Sequence, residues 1–176
     1  MSNKAWLNGE LDGFSPLVMP AAHALVQAIT DLERFAPHLS NEELLKCPNN
    51  SSSVAFHLRH IAGSIDRLLT YSRGEQLSEI QFEWLRTENN RNSNLNAGEL
   101  IQKAVDEINN ALDALKNVAP ESLFEERFVG RKKLPTNLFG LLFHVAEHTA
   151  RHVGQVVTLT KIVQKRENKL TQLRRI

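Results

Sequence analysis

Cysteine and long apolar runs are the two things this sequence most clearly lacks. Cys47 is the only cysteine among 176 residues, which excludes an internal disulfide framework and suits a reducing compartment. No stretch approaches the roughly 18 consecutive apolar residues of a membrane span, and residues 1–18 contain no apolar core of a signal peptide. These absences predict a cytoplasmic protein that does not enter a membrane.

A strong charge of one sign is also missing. Lysine and arginine number 21 against 20 acidic residues, a net charge of +1, so there is no overall field to attract nucleic acid or a membrane surface. The hydrophobic share of 41% and the charged share of 23% are those of an ordinary globular protein. The length fits one domain, predicted to span residues 1–176 and to bury roughly 70% of its unfolded surface.

Apolar residues recur at helical spacing in four segments of similar length. The predicted helices cover about residues 16–37, 52–73, 97–118 and 137–163. The third segment is the clearest, with a stripe formed by Ile101, Val105, Ile108, Leu112 and Leu115. Four amphipathic helices in one small domain predict an all-α fold, a four-helix bundle.

Two of the connections between these helices are long. Residues 75–95 include SEIQFEWLRTENN, which is consistent with a short extra helix, and then the polar stretch NNRNSN. Residues 119–135 favour extended structure around Val129 and Gly130, as in a small hairpin. Long crossovers are compatible with a four-helix bundle. The basic C-terminal stretch KIVQKRENKLTQLRRI favours a solvated helix end over an anion-binding tail.

The histidines are concentrated in two of the predicted helices. Five of the seven histidines fall in two runs on separate predicted helices: His57 and His60 on the second, and His144, His148 and His152 on the fourth. A spacing of four residues places side chains on one side of a helix. One helix can therefore present two ligands to a cation, and a second helix supplies the third.

A helical wheel of the fourth helix separates its three histidines. His152 lies nearest the centre of the apolar arc, His148 lies at its flank, and His144 lies outside it. A buried polar group without a partner costs on the order of 1–3 kcal/mol, and a divalent metal bound by two imidazoles removes that cost. The predicted buried arc consists of Leu138, Leu141, Val145, Thr149, Val156 and Val163.

The second helix leaves its ligand undecided. Its apolar arc places His57 closer to the core than His60. However, His60 belongs to a polar row with Ser64, Arg67 and Tyr71, and such a row is typical of a pocket wall. An isolated histidine is more often a surface or packing residue, and no role is assigned to His23 and His38. The apolar arc consists of Val54, Leu58, Ile61, Ile65 and Leu68.

The segments FHLRHIAGSIDRLLTYSRG and FHVAEHTARHVGQ resemble the DinB-like superfamily, which includes metal-dependent hydrolases of the YfiT type. The resemblance covers nearly the whole chain and implies a four-helix bundle with long crossovers. It also implies a divalent metal ion held by three histidines, one from the second helix and two from an H-x-x-x-H pair followed by Gly-Gln. On this sequence these ligands are His60, His148 and His152.

Three neutral histidines leave coordination positions open, as in a catalytic metal site. Imidazole ligands suit Zn, Ni, Fe or Cu, so the ion is not identified. Arg67 is a candidate for holding an anionic substrate group, Tyr71 for donating a proton, and Gln155 for orienting a ligand or water. Asp66 and Glu147 lie off the predicted inner faces, so no carboxylate stands out as a general base.

Three interpretations compete. The resemblance favours a metal-dependent enzyme, either a hydrolase or a transferase that uses a low-molecular-weight thiol, acting on a small-molecule substrate. The lack of a general base favours thiol transfer slightly. The alternative is a non-catalytic metal-binding or stress-response module, and the third is an interaction protein whose histidines merely pack. The resemblance also implies a homodimer.

Overall fold

A computed structural model describes residues 4–90 and 96–173, with side chains as far as residue 164. The elements are α1 (Met19–Phe35), α2 (Asn41–Leu45), α3 (Val54–Ser72), α4 (Glu79–Thr87), α5 (Ala97–Asn117), β1 (Glu126–Val129), β2 (Leu134–Asn137) and α6 (Leu138–Leu173). Short 3₁₀ turns lie at Ala5–Leu7, Pro48–Asn50 and Pro120–Ser122. The long helices α1, α3, α5 and α6 are the four predicted from the periodicity.

The ends of these helices agree with the prediction within a few residues, with one exception. Helix α6 continues to Leu173, ten residues beyond the predicted end, because no glycine or proline after Gly154 stops it. The short extra helix is confirmed as α4, and the hairpin as β1 and β2, with Val129 opposite Leu134. Residues 91–95, which hold most of the polar stretch NNRNSN, lie outside the described residues.

The four long helices form a ring around one core. Helices α1 and α3 each pack against both α5 and α6, so the order around the bundle is α1, α6, α3, α5. Helices that follow one another, α1 and α3 or α5 and α6, therefore occupy diagonal positions. Their connections have to cross an end of the bundle, which confirms the four-helix bundle with long crossovers.

The core is continuous and apolar. All six residues of the predicted α6 arc are buried, and of the α3 arc only Leu68 is partly exposed. Each large apolar side chain taken fully out of water contributes about 1.5–3 kcal/mol. None of the helices in the described part of the chain is both long and apolar enough to span a membrane. The largest fully buried side chains include Leu25, Leu32, Leu58, Ile61, Ile65, Ile108 and Val145.

Helix α4 lies along the outside of α3 and is fixed to it by polar contacts. Gln81 Nε2 donates to Thr70 Oγ1 at 2.7 Å, and Trp84 Nε1 donates to the carbonyl oxygen of Arg59 at 3.2 Å. These contacts run from the C-terminal half of α3 towards its N-terminal half. The C-terminal end of α4 consequently lies beside the first turns of α3, which carry His57 and His60.

Candidate metal centre

Four imidazoles meet between the start of α3 and the middle of α6. Helix α3 begins after Ser53, whose Oγ accepts from the backbone N–H of Phe56 at 3.1 Å, so His57 and His60 occupy its first two turns. The Nδ1 atoms of His57 and His152 are 2.9 Å apart. The Nε2 atoms of His60 and His148 are 3.0 Å apart.

Three of these imidazoles can converge on one point. His60, His148 and His152 each offer a ring nitrogen, and the three nitrogens lie within 4.8 Å of one another. No other group of three His, Cys, Asp or Glu residues does so among the described residues. Bonds of about 2.0–2.1 Å to zinc place neighbouring nitrogens about 3–3.5 Å apart. The separation of 3.0 Å between His60 and His148 fits a shared cation.

The remaining histidines are placed differently. His57 is buried and His60 is only partly buried, so the wheel was right that His57 lies deeper. It contacts His152 but is not in the group of three. His144 is partly exposed, and its Nδ1 lies 2.7 Å from Glu147 Oε1. His23 contacts the carbonyl oxygen of Gly9, and His38 is exposed.

Burial keeps three of the four imidazoles neutral near pH 7, namely those of His57, His148 and His152. Burial, with a second contribution from the neighbouring His60, lowers the pKa of His148 to about 4 and that of His152 to about 3. Burial likewise lowers the pKa of His57 to about 4, with a second contribution from His60. A neutral imidazole has a free lone pair on one nitrogen, which is the form that binds a metal ion. The donor set therefore fits a divalent cation.

Glu88, which the sequence analysis did not single out, completes the cluster. Its Oε1 lies 2.8 Å from His60 Nδ1, and its Oε2 accepts from Arg67 Nη2 at 3.2 Å. Burial raises the pKa of the carboxyl, but the hydrogen bond and charge of His60 and the pair with Arg67 outweigh it, so the pKa lies below its ordinary value. An ionised Glu88 accepts a hydrogen bond from Nδ1–H of His60. The lone pair of His60 then lies on Nε2, on the side of His148.

The three candidate catalytic residues are placed unequally. Arg67 is buried and turned to Glu88, and its Nη1 has no hydrogen-bond partner among the described residues. Tyr71 is buried on α3 but lies eleven residues beyond His60, about 16 Å along the helix axis. Gln155 is exposed, one turn after His152. The structure thus links Arg67 to the histidines through Glu88, and it separates Tyr71 from them.

A charged group flanks the cluster on α6. Glu147 accepts from Arg151 at 2.9 Å through each of its oxygens, and it also contacts His144. Arg151 Nη2 lies 3.4 Å from His148 Nδ1. Since Arg151 is 64% exposed, this group forms the solvent side of the centre.

Comparisons with known proteins agree with this architecture. The sequence model of the DinB superfamily matches residues 24–156, from the first turns of α1 to just past His152. Among solved structures the chain is similar to YfiT from Bacillus subtilis, described as a probable metal-dependent hydrolase with an unusual four-helix bundle topology. The TM-score is 0.63 and the identity 12%, over 93% of this chain and 99% of that one. No curated protein matches significantly.

At 12% identity the likeness to YfiT concerns the fold. The family assignment depends on the sequence match, which covers three quarters of the chain and includes both histidine runs. The chain belongs to the DinB superfamily.

Proposed function

We propose that this protein is an enzyme that binds one divalent metal ion through His60, His148 and His152 and uses it to activate a nucleophile against a small-molecule substrate. The observation that carries the proposal is the group of three imidazole nitrogens within 4.8 Å of one another. Three protein ligands leave positions open for substrate or nucleophile. When bound, the ion would supply Lewis acidity that ionises water or a thiol near neutral pH.

The surrounding residues fix the orientation of the ligand His60. Glu88 fixes the proton of His60 on Nδ1, and Arg67 keeps Glu88 ionised and oriented. The ring of Phe56 stacks on His60 with 5.4 Å between centroids and an interplanar angle of 18°, which restricts rotation of the imidazole. Arg67 then acts on the site through Glu88.

The nucleophile has two candidates. Water is supported by the description of YfiT, a protein of the same fold, as a probable metal-dependent hydrolase. A low-molecular-weight thiol is supported by the carboxylates beside the imidazoles. Glu88 is occupied by His60 and Arg67, and Glu147 by His144 and Arg151, so neither is free to take a proton from water. A thiol ionises more readily than water and needs less help from a base.

Metal analysis of the untagged protein, purified without chelators, tests the site. We expect about one equivalent of a divalent ion per chain, retained by His144→Ala and lost by His148→Ala. The two variants remove imidazoles one turn apart on α6, and only His148 belongs to the group of three. Absence of bound Zn, Ni, Fe and Cu after reconstitution would contradict the proposal.

An activity screen of the metal-loaded protein distinguishes the nucleophiles. One panel supplies glutathione, bacillithiol or mycothiol with electrophilic acceptors, and the other supplies esters and amides in the absence of thiol. We expect turnover in one panel that disappears in His148→Ala. Stoichiometric metal without turnover in either panel would favour the non-catalytic metal-binding module.

A further inference from the structure

We propose that His57 is a positioning residue for His152: its Nδ1 accepts a hydrogen bond from Nδ1–H of His152 and so leaves Nε2 of His152 free for the metal ion. The inference rests on the proposed metal site and adds a fourth histidine to it. His57 then acts through His152 and does not touch the ion.

The contact between the two rings requires a shared proton. Their Nδ1 atoms are 2.9 Å apart, and the ring planes are inclined by 51° with 5.1 Å between centroids. Two lone pairs would repel at this distance, so one nitrogen donates and the other accepts. If His152 is the donor, its proton lies on Nδ1 and the lone pair on Nε2.

The surroundings of His152 favour that assignment. The rings of His60 and His148 lie 4.4 Å and 4.5 Å from its centroid, and these are the two imidazoles with which it forms the group of three. Because Nδ1 of His152 is occupied by His57, Nε2 is the nitrogen left to converge with the other two. The opposite tautomer would point an N–H at the cation position and exclude the ion.

The burial of His57 suits it to orient His152. The residue is 7% exposed and sits in the first turns of α3, where it has little freedom to leave its partner. His60 is oriented by the carboxylate of Glu88, whereas His152 is oriented by a neutral ring. Both ligands thus have the nitrogen that faces away from the ion held by a buried partner, which is the arrangement that raises metal affinity.

The variants His57→Ala and His57→Asn test the role, since the Oδ1 of Asn can occupy the position of Nδ1 and accept the same proton. We expect His57→Ala to weaken the affinity for Zn²⁺ or Co²⁺ by about 10–100-fold, and His57→Asn to restore most of it. The visible absorption of bound Co²⁺ should stay the same, because the three ligands are unchanged. His38→Ala, which removes an exposed histidine, is the matched control. Competition with a chelator gives the affinities.

Long-range ¹H–¹⁵N NMR of the metal-free wild type provides a readout that does not depend on metal. We expect His152 to carry its proton on Nδ1, and His57→Ala to give a mixture of tautomers. This measurement also tests the hydrogen bond if His57→Ala does not fold. If the wild type binds no metal, the proposed function fails, while the tautomer of His152 still decides the present inference.

Three results would overturn the assignment. The first is an unchanged affinity in His57→Ala. The second is a proton on Nε2 of His152 in the metal-free wild type. The third is complete loss of binding in His57→Ala without rescue by Asn, together with an altered Co²⁺ spectrum where any ion is retained, which would make His57 a ligand itself.

Discussion

The interior of the bundle has two regions that obey different rules. In the apolar core, side chains such as Leu25, Ile65 and Ile108 stabilise the fold in proportion to the area they remove from water, and any neighbour of the right shape serves. In the histidine cluster between α3 and α6, burial makes protonation harder, and each ring depends on one specific partner. The core holds the helices in place. The imidazoles of the cluster are thereby held where a bound ligand can offset the cost of burying them.

The strongest test of this contrast compares a variant in the apolar core with a variant in the histidine cluster, and measures both the stability and the metal affinity of each. Leu25→Ala removes a fully buried side chain and should lower the free energy of unfolding by about 2–5 kcal/mol, with metal affinity unchanged. His148→Ala should abolish metal binding but destabilise the metal-free protein much less, because it also removes a polar ring from a partly buried position. Urea unfolding and chelator competition measure the two quantities.

That separation would fail if Leu25→Ala weakened metal binding as strongly as it weakened folding. Such a result would mean that the site depends on the whole core and not on the contacts around the imidazoles. Measurement at urea-free conditions, where the variant is folded by circular dichroism, keeps the two effects apart.

Adding metal should stabilise the protein through the cluster alone. A ligand that binds only the folded state raises the free energy of unfolding by about 2.7 kcal/mol at one hundred times its dissociation constant. We expect the same increment in the wild type and in Leu25→Ala, and none in His148→Ala. Thermal unfolding with and without Zn²⁺ measures it, and an equal increment in His148→Ala would show that the ion binds elsewhere.

Acidification should weaken the metal-free fold through the same histidines. The pKa values of His57, His148 and His152 lie at about 4, 4 and 3, against about 6.5 in the unfolded chain. Between these values the unfolded state binds more protons, so the free energy of unfolding falls as pH drops from about 6.5 to 4 and is flat above that window. The lowered pKa of Glu88 acts in the same direction at the acid end.

Between pH 7 and pH 5 the expected loss is up to about 2 kcal/mol for each of the three histidines, and less where water screens a partly exposed ring. Urea unfolding at the two pH values measures it in the metal-free protein. His148→Ala removes one of the groups and should show a smaller loss than Leu25→Ala. Equal losses in the two variants would place the titrating groups outside the cluster.

The apolar region was largely predictable from the sequence. Periodicity identified the four long helices and all six buried residues of the α6 arc, since a spacing of 3.6 residues records which face meets the core. The end of α6 was wrong because a long helix needs a stop signal, and neither glycine nor proline follows Gly154. The same wheel placed His57 deeper than His60, as the structure has it.

The histidine cluster was predictable only in part, because its geometry comes from contacts between distant segments. A wheel ranks burial, but it cannot tell that His57 meets His152 across the bundle or that His60 meets His148. Glu88 was not predicted as part of the cluster, for the same reason. It follows α4, twenty-eight residues from His60, and no periodicity relates a residue after a short helix to one on its neighbour.

Gly63 lies on α3 where the indole of Trp84 packs against the helix. A Cβ at this position would overlap the indole of Trp84 and approach Arg67 Nη1 to 2.8 Å. Trp84 belongs to α4, and Lys103 Nζ lies over its ring at 3.7 Å, so the indole has little room to yield. A glycine inside a helix costs about 1 kcal/mol relative to alanine, and here it permits the packing that brings the end of α4, with Glu88, to the histidines.

Gly63→Ala should therefore displace α4 and loosen Glu88 from His60, lowering metal affinity by about tenfold while α3 remains helical. Gly154→Ala is the matched control: it is also a glycine inside a helix, two residues from His152, but a Cβ there meets no atom of the described residues within 4 Å. We expect this control to keep its affinity and to gain slightly in stability from helix propensity. Chelator competition on both proteins decides the point. Equal affinities would mean that Glu88 reaches His60 without the close packing of Trp84 on Gly63, and the histidine cluster would then not depend on how α4 packs against α3.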